Sequence, residues 1–160
     1  MRDVVNILGV NIDNITAAAA LDKAEQLVKS DGVSVIYTPN PEIVMAAYED
    51  SEFCGVLNSA DMCVPDGIGV VYGSRIIGKP LPERVAGFDL SMGLMDRMSK
   101  FGGRVFLFGS KPGVADEAAE KLTQKYPGLE IAGTRNGYFA DSDEEEIVNE
   151  INSSNADLLM

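Results

Sequence analysis

Short apolar runs alternate along this chain with longer stretches of helical periodicity, and this alternation limits its fold more than any other feature. Strand-like runs occur near Val4 to Val10, at Val33–Tyr37, Asp61–Val64 and Arg104–Phe108, near Leu129 to Ala132, and at Ala156–Met160. Between them lie helical patterns: Leu21, Ala24, Leu27 and Val28 share one face, and others run from Pro41, around Phe53 to Leu57, from Gly67, from Phe88 to about Phe101, from Gly113 to about Tyr126 and from Ser142. Strands separated by helices of this length pair in parallel and are covered by those helices. The expected fold is therefore α/β and Rossmann-like, a mostly parallel sheet with helices on both faces. No internal repeat or linker interrupts the pattern.

In such sheets ligands bind at the carboxyl edge of the strands, so the strand-to-helix turns carry the functional signal. Tyr37-Thr38-Pro39-Asn40-Pro41-Glu42 leaves one strand, with Asn40 placed to cap a helix that Pro41 opens. Val64-Pro65-Asp66-Gly67 leaves the next. If the two strands pair in parallel, Thr38, Asn40 and Asp66 meet on one edge. Histidine is absent, which excludes a Ser-His-Asp triad, a Cys-His dyad, an imidazole base and an ordinary zinc site. Proton transfer then falls to carboxylates, Lys, Tyr or Cys, and Asp66 becomes the leading candidate base. Its alternative role is to cap the helix after Gly67, as Asn40 can cap its own. Arg84 lies in a loop punctuated by Gly and Pro from Gly78 to Gly87; it is either a surface arginine or a mobile clamp for phosphate.

A second pair of turns lies further on. Gly109-Ser110-Lys111-Pro112-Gly113 follows a buried strand and opens a helix, so its amides and Lys111 suit a phosphate, although an ordinary connection has the same composition. Asn136-Gly137-Tyr138 falls on another edge loop, where the tyrosine ring and hydroxyl suit a nucleoside. Asp141-Ser142-Asp143 spells a DxD, the pattern by which many glycosyltransferases hold a cation. Here Ser142 and Glu145 have the spacing of a capping box, and the helix-start reading is preferred. Met92, Met95 and Met98 read as core filling.

The 160 residues suit one domain with a real core. A net charge of −12 with no basic stripe argues against nucleic acid and against an anionic membrane. No run approaches the ~18 apolar residues of a membrane span, and the start carries an acidic Asp3 where a signal peptide needs a basic flank, so a cytoplasmic location is expected. Cys54 and Cys63, without CxxC spacing, are expected to be reduced.

Three ordered segments carry a resemblance: Tyr37–Glu42, Ala60–Val71 and Glu83–Leu90, continued through Arg104–Gly113 and Gly137–Phe139. They resemble the WecG/TagA/CpsF glycosyltransferases, glycosyltransferase family 26. That resemblance implies an inverting, metal-independent transfer, with no cofactor, of N-acetylmannosamine from a UDP donor to the 4-hydroxyl of undecaprenyl-diphosphate-linked N-acetylglucosamine. It puts the base on Asp66, with Thr38, Asn40 and Arg84 as partners, and it alone gives Thr38 a role. Gly67, Gly109–Gly113 and Asn136–Tyr138 are the expected substrate contacts.

The family pattern continues past the final strand into a basic segment associated with the membrane. The chain is therefore expected to be a truncated core, peripheral at the inner membrane face when complete. An edge left open inside a strand favours self-association, so a homodimer is the expectation. Two other classes remain open, a phosphosugar or nucleotide-sugar enzyme of another kind and a noncatalytic nucleotide-binding module.

Overall fold

A computed structural model describes residues 2–160. In chain order the elements are β1 (Val4–Ile7), β2 (Val10–Asp13), α1 (Ala17–Val28), β3 (Ile36–Tyr37), α2 (Pro41–Glu49), α3 (Ser51–Asn58), β4 (Met62–Cys63), α4 (Ile68–Ile76), α5 (Gly87–Met98), β5 (Arg104–Phe108), α6 (Val114–Lys125), β6 (Glu130–Arg135), α7 (Glu144–Ser153) and β7 (Leu158–Leu159). Strand β3 pairs in parallel with β4, and β5 pairs in parallel with both β6 and β7; β1 and β2 form an antiparallel pair. The expected α/β class is borne out. The chain divides into two compact units, one ending at Gly93 and one running from Leu94 to Met160.

The first unit departs from expectation at its start. Val4 to Val10 is not one strand but the greater part of a hairpin, because Leu8 and Gly9 both take positive φ, at 50° and 98°. Two consecutive positive-φ residues suit a two-residue hairpin turn, and Ile7 pairs with Val10 across it. Val5, Ile7, Val10 and Ile12 then enter a core with Val44, Ala47, Leu57, Cys63, Val70 and Leu81. At the end of β2 the buried Asp13 accepts from the Cys63 amide at 2.7 Å and from Arg2 Nε at 3.1 Å, with Lys23 Nζ at 3.6 Å. A carboxylate that deep is tolerated because it is paired and hydrogen-bonded.

The expected buried strand Val33–Tyr37 contracts to its last two residues, since Val33 is 94% exposed. The amide of Val35 donates not to a strand but to Asp61 Oδ2, at 2.8 Å. Asn40 and Pro41 begin α2 as the sequence indicates, the Asn40 side chain accepting from the Ile43 amide at 2.9 Å.

In the second unit β5 is the central strand. Its Val105, Phe106 and Leu107 are buried with Leu122 of α6 and Ile147 of α7. Gly133 on β6 has no room for a side chain, because an added Cβ would lie 2.5 Å from Phe106 Cε2. Met95 and Met98 are buried and Met92 is half-buried, in keeping with a packing role.

Candidate active site

Parallel pairing of Ile36 with Met62 and Tyr37 with Cys63 makes both strands leave the pair at the same end. The ladder continues beyond them, Val64 N donating to Tyr37 O at 2.9 Å and Asp66 N to Pro39 O at 3.1 Å. Thr38, Asn40 and Asp66 therefore come together on one edge, as the sequence pattern implied. The Asp66 carboxylate accepts from Arg84 on Oδ1, from Nη2 at 3.0 Å and Nε at 3.2 Å, and from the Gly87 amide on Oδ2 at 3.0 Å. Oδ1 is filled by its two bonds from Arg84 and Oδ2 retains a lone pair, so the group is oriented and still able to receive a proton.

The alternative role for Asp66 is not realised. Helix α4 starts at Ile68 behind Gly67, which has φ 111°, and no side chain caps it. Gly67 is required there: an added Cβ would lie 3.0 Å from Pro41 Cδ, at the start of α2. Asn40, by contrast, does serve as a cap through its Oδ1, so whatever it does for a ligand falls to its amide nitrogen.

The backbone that carries Arg84 is anchored. Its loop is pinned on both sides of it by buried Leu81 and Val85. Ser74 Oγ accepts from the Leu81 amide at 2.9 Å, Pro65 O accepts from Val85 N at 2.9 Å, and Glu83 Oε1 accepts from Ala17 N at 2.8 Å. The Arg84 side chain, 51% exposed, reaches out of this anchored backbone. The same anchoring delivers Gly87, which the sequence reading did not select. Its amide holds Asp66, and its missing side chain admits Thr38, whose Oγ1 lies 2.8 Å from where a Cβ would stand. The only sequence signal was a glycine three residues after Arg84, just ahead of the helix.

Within the second unit, the other candidate residues also meet. Gly109 N donates to Arg135 O at 2.8 Å and Gly137 N to Ser110 O at 2.9 Å, joining the turn after β5 to the loop after β6. Gly109, Ser110 and Gly113 take positive φ, at 121°, 64° and 85°. Non-glycine residues rarely adopt such angles, so Ser110 is held there by its surroundings. Lys111 and Pro112 are exposed, Asn136 Oδ1 accepts from the Tyr138 amide at 2.9 Å, and Tyr138 is 69% exposed.

The DxD segment is a 3₁₀ turn, Asp141–Asp143, leading into α7. The expected Ser142–Glu145 capping box is replaced by Asp143, which accepts from the Ala140 amide at 3.1 Å and from Ser142 Oγ at 3.0 Å. Those bonds, and Arg135 nearby, hold its carboxyl below the usual range. Both cysteines are free thiols. Burial, with a smaller contribution from Asp13, pushes the Cys63 thiol up to about 12, which removes it as a base or nucleophile near neutral pH.

An α/β chain that gathers a carboxylate, an arginine and two helix starts at the carboxyl edge of parallel strands has the layout by which open α/β sheets bind ligands. The chain belongs to the glycosyl transferase WecG/TagA/CpsF family, which it matches over residues 5–160. It is 42% identical over 124 residues to an N-acetylglucosaminyldiphosphoundecaprenol N-acetyl-beta-D-mannosaminyltransferase of Bacillus spizizenii, covering 78% of this chain and 48% of that protein. Proteins of the same name from Bacillus subtilis and Staphylococcus aureus are 41% and 32% identical, over 68% and 92% of this chain and 42% and 58% of theirs. The chain thus spans about half the length of the curated relatives it matches. Among the described residues, no helix is long and apolar enough to cross a membrane.

Proposed function

We propose that this chain carries the catalytic core of an inverting glycosyltransferase. It moves N-acetylmannosamine from UDP-N-acetylmannosamine to the 4-hydroxyl of N-acetylglucosamine on undecaprenyl diphosphate, in the synthesis of wall teichoic acid or a related surface polymer. The observation that carries the reading is the Asp66 carboxylate, held by Arg84 and the Gly87 amide at the end of the parallel pair β3–β4. The names of the relatives supply the sugar and the lipid-linked acceptor.

In this reading Asp66 takes the proton of the acceptor hydroxyl as its oxygen bonds to the anomeric carbon of the donor. The bond from that carbon to the diphosphate breaks at the same time, and UDP leaves with the electron pair. A single displacement of this kind inverts the anomeric centre. Arg84 is suited to the charge on the departing diphosphate, and moving onto it would loosen its hold on Asp66 Oδ1 as the base is needed. Thr38 and the Asn40 amide nitrogen bind the reacting sugars. Gly67 keeps the backbone close to them, and Gly109, Ser110, Lys111, Pro112 and Gly113 with Asn136, Gly137 and Tyr138 are assigned to the nucleotide.

The transfer is proposed to need no metal, because Asp143 of the DxD is already engaged in starting a helix. The complete protein is proposed to work at the inner face of the cell membrane, through a segment beyond this chain, and as a homodimer. Incubating the full-length protein with UDP-N-acetylmannosamine and a lipid-linked N-acetylglucosamine tests the reaction. A β-linked disaccharide on the lipid is the expected product. Turnover of the donor without that product would support a different nucleotide-sugar enzyme, and UDP binding without turnover a noncatalytic module.

A further inference from the structure

The helix that begins directly after Asp66 is apolar on both sides. Val70, Val71 and Ser74 of α4 are buried, whereas Ile68, Tyr72 and Ile76 are 55%, 53% and 85% exposed, and Ile77 just beyond is 50% exposed. Positions four apart lie one above another, so Ile68, Tyr72 and Ile76 make one outward ridge. A helix apolar all round is ordinarily buried or meets a nonaqueous phase.

The charge pattern says which. In a chain with 25 acidic residues and a net charge of −12, the stretch from Gly67 to Pro82 contains no Asp or Glu, yet it carries Arg75 and Lys79. The Arg75 guanidinium lies 5.5 Å from the centre of the Tyr72 ring, which places a cation beside the ridge. An exposed apolar ridge with a tyrosine, on a stretch of chain whose only charges are cations, matches the boundary between headgroups and acyl chains of a bilayer that contains anionic lipid. It does not match the acidic surface of the rest of the chain.

We propose that the outer face of α4, with Ile77 and Lys79, is a lipid-contacting surface that seats the enzyme on the bilayer holding its acceptor. The inference rests on the reading above that the acceptor is lipid-linked, and it adds a contact within this chain to the segment proposed beyond it. Since Ile68 is separated from Asp66 by one residue, a bilayer touching the ridge lies close to the base. An acceptor sugar raised on its diphosphate then reaches Asp66 without leaving the membrane.

The test uses the full-length protein, vesicles of phosphatidylglycerol and phosphatidylethanolamine, and two variants, Ile76→Glu and Lys79→Gln. Ile76→Glu is expected to lower the vesicle-bound fraction roughly tenfold. Lys79→Gln is expected to lower it about fivefold, and the difference should vanish at high salt. Both should keep the wild-type Tm and turnover with a water-soluble short-chain acceptor, and lose turnover with acceptor embedded in vesicles. Unchanged partition of both variants overturns the proposal. With that result, a shift to monomer in light scattering would assign the ridge to a second copy, and a large loss of Tm would assign it to the rest of the protein. If Ile76→Glu fails to fold, Lys79→Gln decides alone. A wild type that transfers to neither acceptor sinks the proposed reaction, while the partition measurements still judge the lipid surface.

Discussion

Replacing Gly87 by alanine is the most informative small perturbation of the site. The new Cβ would stand 2.8 Å from Thr38 Oγ1 and 3.1 Å from both its Cβ and Cγ2. Ordinary carbon contacts lie at about 3.5–4.0 Å, so roughly 0.5–1 Å of movement is needed. Rotating Thr38 about χ1 relieves the hydroxyl and methyl but leaves its own Cβ in place, so the backbone must give way. A shift of that size away from Asp66 takes the Gly87 amide, now 3.0 Å from Oδ2, out of hydrogen-bond range.

Overpacking costs about 1–3 kcal/mol, and a lost hydrogen bond to a charged group about 1.5–3 kcal/mol. The two overlap, because one movement relieves the first by causing the second. Alanine at the start of α5 returns up to ~1 kcal/mol of helix propensity. The net expectation is a loss of about 1–3 kcal/mol, a fall in Tm of roughly 3–10 °C, read by calorimetry. Because Asp66 also loses its orientation, transfer should fall by about 10–100-fold in a radiolabelled-sugar assay. Adding Thr38→Ala removes two of the three crowding atoms and should restore part of the Tm. A Gly87→Ala protein with wild-type Tm and wild-type turnover would refute this account of how Asp66 is held.

Transfer by the full-length enzyme should survive EDTA; silencing by EDTA with recovery on adding magnesium or manganese would turn attention to Asp141 and Asp143. Asp13→Ala strips the buried partner of Arg2 and of the Cys63 amide, and should cost about 2–4 kcal/mol in denaturant unfolding, less than a fully buried pair because Arg2 is partly exposed. The Cys63 thiol is raised from an ordinary 9.0 to about 12, so the folded chain keeps a proton that the unfolded chain releases. Its contribution to stability is complete below pH 9 and declines as pH climbs from there toward 12. Cys63→Ser should flatten that decline, and an unchanged alkaline limb would place its cause elsewhere.

The parts of this chain legible in its sequence are those fixed by local chemistry. Asn40 followed by Pro41 specifies a helix start wherever it occurs, and Arg104–Phe108, apolar between a glycine pair and a glycine, could be little else than a central strand. The parallel pairing of β3 with β4 followed from the alternation, and with it the meeting of Thr38, Asn40 and Asp66. What escaped depends on contacts between distant residues. The β1–β2 turn uses Leu8 at positive φ, where Asn-Gly or Asp-Gly would have announced it. Val33 has strand propensity yet stands 94% exposed, and the amide of Val35 donates to the Asp61 side chain. Gly87 and Asp13 act through an amide and a burial that no local pattern encodes.

The central claim is that Asp66 is the base, and replacing it with asparagine in the full-length enzyme tests that claim most directly. Asparagine preserves size and its carbonyl oxygen can still accept from Arg84, but its amide nitrogen gives up the bond from the Gly87 amide and it cannot take a proton from a hydroxyl. UDP affinity should stay within a few-fold of wild type, while transfer to the lipid-linked acceptor should fall by ~10²–10⁴. Undiminished turnover of Asp66→Asn, with UDP bound as before, would contradict the account.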